Sequence, residues 1–204
     1  MIVLSIDLCA QIPNYLVFDK EQSSSFGAEN GITIHRFLYE KTDEFVPLKF
    51  NEENTFLTKS GGIGYRLLKA SVFDLQLNWL FTILQREAFG HGARFREFGY
   101  SYNSYNFGLI PPLGGAISYA IPGYLAPNKV VTEPESLALL FSGNEANLVF
   151  SEKINSRVIL KGDMHYQESI LYLMTKNNLL FYIWNDRLLS SLVTLDDDLD
   201  AYIQ

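Results

Sequence analysis

Cysteine is nearly absent from this chain. Cys9 is the only one, so no intramolecular disulfide can form, and a secreted fold held by bridges is excluded. A reducing compartment fits best, and the expected location is cytoplasmic. Histidine is scarce as well. His35, His91 and His165 lie far apart, in no His-x-His, His-Glu-x-x-His or Cys-x-x-Cys spacing that would set ligands on one face, so no metal and no cofactor are expected. The nucleophile-elbow, phosphate-loop and dinucleotide glycine patterns are all missing, which removes the readily recognised hydrolase, nucleotidase and oxidoreductase classes. Basic residues are outnumbered, 16 Lys and Arg against 23 Asp and Glu, for a net charge of −7. Such a field repels an extended phosphate backbone, so nucleic acid is not an expected partner and a basic protein is a better one.

Long apolar runs are also lacking. A membrane span needs about 20 apolar residues in sequence. The most apolar stretch, Leu75 to Gln85, already contains Gln76, Asn78 and Gln85. The apolar start, Met1 to Ala10, has no Lys or Arg and is interrupted by Asp7, unlike a signal peptide. The expectation is a water-soluble chain with no membrane partner. With 204 residues, 48% hydrophobic and 19% charged, the chain can bury roughly 70% of its unfolded surface, enough for a single domain over 1–204.

Hydrophobic periodicity gives the expected elements. Ile2, Leu4, Ile6 and Leu8 alternate with Val3, Ser5, Asp7 and Cys9 at period two, the mark of a strand. Tyr15–Phe18, Ile32–Glu40 and Thr55–Thr58 read as further strands of an antiparallel meander, and Gly61-Gly62-Ile63-Gly64 as a turn. Ser71-Val72-Phe73-Asp74 has the spacing of a capping box, and the stripe of Val72, Leu75, Trp79, Leu80, Ile83 and Leu84 predicts a helix over about 72–89, with Gly90 as its stop. From Gly90 to Val130 lie half of the 14 glycines and most of the 7 prolines, which predicts a long loop or short strands. Thr132-Glu133-Pro134-Glu135 opens a short helix ending near Gly143. Leu148–Phe150, Val158–Leu160, Ile170–Thr175 and Leu179–Trp184 read as strands, the last two joined as a hairpin across Lys176-Asn177-Asn178. The expected fold class is α+β: antiparallel sheets packed on one long central helix, with one or two short helices.

Candidate site residues fall in four places. Tyr100, Tyr102, Asn103, Tyr105 and Phe107 belong to an uncharged segment rich in Tyr, Ser, Asn and Gly, the composition of protein-binding loops; packing of these aromatics on the protein's own core is the competing reading. Asp196, Asp197 and Asp198 offer an acidic rim or a helix cap. His91, Arg94 and Arg96 form the one local basic patch, able to grip a carboxylate or phosphate, unless Glu87 and Glu97 neutralise it. Asp163, His165 and Glu168 cluster after Gly162, a histidine beside carboxylates that suits proton transfer, with an ordinary loop as the competing reading. Cys9, on a strand face with Val3, reads as a small buried residue.

Three functions follow as expectations. The leading one is a non-enzymatic protein-binding domain, concretely a bacterial immunity or antitoxin-type protein that occludes a basic toxin domain. The alternatives are an enzyme of unrecognised class with an anion site at His91, Arg94 and Arg96, and a structural subunit of a phage or secretion assembly.

Overall fold

The protein is described by a computed structural model covering residues 2–6, 14–19, 22–45, 56–107, 116–122 and 132–180. Helix organises these residues. The order is β1 (Ile2–Ile6), β2 (Asn14–Phe18), α1 (Ser24–Phe45), α2 (Phe56–Lys69), α3 (Leu75–Leu84), α4 (Gly92–Glu97), β3 (Tyr100–Phe107), β4 (Ala116–Pro122), α5 (Glu133–Lys161) and α6 (Tyr166–Lys176). Among the described residues, strand pairing is limited to two antiparallel ladders, β1 with β2 and β3 with β4. The expected α+β fold, sheets laid on a central helix, is therefore overturned: the core lies between helices.

The reason is visible in the buried positions. Ala28, Ile32, His35 and Tyr39 are buried at spacings of four, three and four, which is one face of a helix, whereas the strand expected over Ile32–Glu40 would have required alternation. In α5 the buried positions Leu139, Ser142, Gly143, Ala146, Asn147, Phe150, Ser151 and Ile154 keep the same rhythm, and the strands expected at Leu148–Phe150 and Val158–Leu160 are turns of this helix. Gln167, Leu171 and Thr175 do the same in α6, replacing the strand expected at Ile170–Thr175; residues 178–180 are again helical, and 181–184 of the expected hairpin partner lie outside the described residues. Small polar residues occupy many inward positions, so an apolar-only count loses the helical period. The Thr132 and Glu135 capping box does open α5, with Thr132 N–H donating to Glu135 Oε2 at 3.1 Å. The helix passes through Gly143 and ends at Lys161, where Gly162 takes the left-handed conformation at φ 76°.

The central helix is longer than expected. It runs unbroken from Phe56 to Glu97, about 60 Å, because α2, α3 and α4 are joined by π-helical turns at Ala70–Asp74 and Gln85–His91. Ser71 is not a cap: its hydroxyl donates to the Leu67 carbonyl at 2.8 Å and the helix continues past it. Gly61, Gly62 and Gly64, expected in a turn, lie inside α2. Gly90, expected as the stop, lies within the second π turn and sits at a close helix crossing. A Cβ added there would stand 2.7 Å from both Gly143 Cα and Ser142 O, so this turn meets α5 backbone to backbone. The apolar core beside this crossing contains Ala28, Ile32, Phe81, Phe150, Ile154 and Leu171.

These glycines make opposite predictions. Gly90→Ala forces backbone against backbone and is expected to destabilise by about 2 kcal/mol. Gly64→Ala adds a methyl with nothing within 4 Å inside a helix and is expected to stabilise by about 0.5–1 kcal/mol. Urea denaturation of the two variants checks both. A turn at Gly61–Gly64 would reverse the sign of the second.

Candidate functional site

Polarity inside this molecule is unusual. Among the described residues, thirteen buried side chains are polar and ten apolar, so the interior cannot be understood as an apolar core alone. The polar groups form a spine along the inner face of the long helix: Lys69, Asp74, Asn78, Thr82, Gln85, Glu87 and His91.

Its centre is an ion pair. Lys69 and Asp74 are five residues apart, and the π turn between them brings them to one side, with both side chains 2% exposed. Lys69 Nζ lies 3.3 Å from Asp74 Oδ1 and donates to the Tyr166 hydroxyl at 2.7 Å. That hydroxyl donates to Asp74 Oδ2 at 2.7 Å, and Gln167 Nε2 donates to Asp74 Oδ1 at 2.7 Å. Burial pushes the Tyr166 hydroxyl up from its ordinary pKa, so it stays a donor. The carboxylate thus sees a lysine, a phenol and an amide from two elements, the arrangement that offsets the cost of burying charge.

One turn further, Asn78 Nδ2 donates to the Asp74 carbonyl at 2.6 Å, and His35 Nε2 donates to Asn78 Oδ1 at 3.0 Å. Burial lowers the His35 pKa to about 4, against the Asn78 hydrogen bond, so the ring is neutral near pH 7. Its edge meets Tyr39 and Phe81 at 5.6 and 5.2 Å, and Tyr39 stacks flat on His165 at 4.3 Å. These contacts tie α1 to α3 and to the start of α6. His165 itself caps α6, with its backbone N–H donating to Glu168 Oε2 at 3.1 Å, so the expected Asp163, His165 and Glu168 cluster contains a helix cap.

At the other π turn, His91 is buried, with Nδ1 2.8 Å from the Leu139 carbonyl and 3.1 Å from Ser142 Oγ. Buried Glu87 pairs with Arg86 at 2.9 Å. Arg94 lies between Glu97 at 2.6 Å and Glu145 at 2.9 Å, and hydrogen bonding to Glu145 and Glu97 raises its pKa. Arg96 donates to the Gln22 and Ala88 carbonyls at 2.9 and 3.2 Å. The basic patch His91, Arg94 and Arg96 is therefore engaged with the protein's own acceptors. Among the described residues no group of three or more His, Cys, Asp or Glu side chains is placed to hold a metal ion.

Of the tyrosine segment, Tyr100 is 7% exposed and meets the Phe95 ring edge-on at 5.9 Å, so it packs inward. Tyr102, Asn103, Tyr105 and Phe107 lie on β3 by their backbone; their side chains, with Cys9, Asp196, Asp197 and Asp198, lie outside the described residues.

The outward face of the long helix is the counterpart of the polar spine. Leu67 is 63% exposed and Phe73 54%, in company with Ile63, Leu68, Val72, Leu75 and Leu80. From Leu67 to Gln85 the only charged residues are Lys69 and Asp74, both turned inward. Ser60–Glu97 is long and apolar enough to cross a membrane by length and composition, with 28% of its apolar window buried inside the molecule. The window Leu75–Gln85, read without the helix on either side, understates this. No family model matches the sequence, and comparison with curated proteins and with solved structures returned no match.

The interior makes two predictions. Asp74→Ala leaves Lys69 buried without its carboxylate and is expected to cost about 3–5 kcal/mol, while Lys69→Met with Asp74→Leu recovers most of it. A double-mutant cycle by urea denaturation measures the coupling. The second concerns pH. Because the folded pKa of His35 lies below the unfolded 6.5, the unfolded chain binds the extra proton between pH 6.5 and about 4. The His35 contribution is complete above that window and is lost as pH falls through it, on the order of 3 kcal/mol. His35→Gln should flatten this part of the stability profile, and an unchanged profile would remove the assignment.

Proposed function

We propose that the protein works as a non-enzymatic docking protein, and that its contact surface is the outer face of the long helix rather than the tyrosine segment. The observation that carries the reading is the exposed apolar series Ile63, Leu67, Leu68, Val72 and Phe73 on a helix whose nearby charges are turned inside. Contiguous apolar surface of this kind marks a contact site in a water-soluble chain. The groups with chemical potential support the same reading: Asp74, Glu87 and His91 are buried, and each is held by internal hydrogen bonds or ion pairs. Such polar networks fix the packing of the helices and give the outer face a rigid support.

A protein is one partner of the right kind. Occlusion of a toxin domain by an immunity-type protein is one form of that reading, with the net charge of −7 steering encounter from outside the contact face.

The test uses the whole chain and three substitutions, Leu67→Ser, Leu68→Ser and Phe73→Ser, all at exposed positions. Wild-type protein, purified alone, is expected to bind a hydrophobic dye and to self-associate in the ultracentrifuge. The triple variant should be monodisperse and dye-silent with an unchanged melting temperature. A wild type that is itself monomeric and dye-silent would overturn the docking reading.

A further inference from the structure

We infer that the surface covered by this face is a lipid membrane with electrically neutral headgroups, and that the long helix lies along it with its outer side in the boundary between headgroups and acyl chains. The inference rests on the docking reading and names its partner. Three features choose lipid over protein. The apolar face lacks the charged groups with which a protein partner would fix orientation: from Leu67 to Gln85 both charges point inward and pair with each other. The hydroxyl of exposed Ser71 is turned back onto the Leu67 carbonyl at 2.8 Å, which leaves its hydrogen bond satisfied without water or partner. And the molecule is polarised against the usual order, with acid, base and amide groups inside and large apolar side chains outside, which is the distribution that a hydrocarbon neighbour selects.

Charge sets the geometry of contact. The helices on the inner side expose the ion pairs Arg36–Glu40, Lys153–Glu29 and Lys176–Glu152, which hydrocarbon on that side would leave without water. The membrane therefore lies on one side only, although the helix has the length to cross. Arg66, exposed at the edge of the stripe, is placed to reach the headgroup layer. A net charge of −7 repels anionic lipid, so burial of apolar surface supplies the attraction.

Flotation of the full chain with phosphatidylcholine vesicles tests this. Wild-type protein is expected to float with the vesicles equally at low and high salt. Leu67→Asp and Phe73→Asp are each expected to weaken partitioning about tenfold, the effect of losing one large apolar contact, with unchanged circular dichroism. The emission of Phe73→Trp should be quenched by brominated acyl chains. A wild type that stays in the soluble fraction overturns the inference, as does binding confined to anionic vesicles and suppressed by salt. If neutral vesicles fail while a dimer or a stoichiometric protein complex protects position 73, the lipid assignment falls and the docking reading stands. Failure of the dye and association tests above removes both.

Discussion

Lys69 and Asp74 can share one side of a helix only because the turn between them is widened. In a regular α-helix residues five apart diverge, and one of these charges would face outward. With the π turn at Ala70–Asp74 both enter the interior, where Tyr166 and Gln167 from α6 complete the carboxylate's hydrogen bonds. The pair has two effects at once. It fixes α6 against the long helix, and it clears charge from the outer face between Arg66 and Arg86.

The second π turn, Gln85–His91, does a related job at the other end. It puts Glu87 and His91 inside and lets Gly90 touch the backbone of α5 at Gly143 and Ser142. Between the two turns the helix meets His35 of α1 with a polar group, Asn78, and an aromatic one, Phe81. A rigid helix with a hydrogen-bonded inner side and a bare apolar outer side follows from these local choices. The functional proposal is a consequence of that two-sidedness and of the net negative charge.

The cap that opens α5 and the first strand were legible in the sequence because each depends on neighbours: Thr132 with Glu135, and alternation in Ile2–Ile6; the cap expected at Ser71 and the stops expected at Gly90 and Gly143 were not there. The helical character of α1, of α5 beyond Gly143 and of α6 was not legible, because their inward positions include His35, Asn147, Ser151 and Gln167, which a hydrophobic pattern counts as surface. The continuity of the long helix was hidden for another reason. Glycines at 61, 62, 64 and 90 are turn signals unless a close crossing or tertiary packing overrides them, and at Gly90 the crossing is what selects glycine. The ion pair was invisible to any search at spacings of three and four. A five-residue spacing of opposite charges within an apolar helical stretch is the signal that would have found it.

The two-sidedness of the long helix can be measured directly by a nitroxide scan through residues 60–84, in a Cys9→Ser background since Cys9 is the only cysteine. With neutral vesicles present, labels at 63, 67, 72 and 73 should be accessible to oxygen and shielded from a water-soluble relaxation agent. The periodicity of access should slip by one residue across Ala70–Asp74, as a π turn requires. Water access at every outward position, or an unbroken 3.6-residue period through Asp74, would contradict the account.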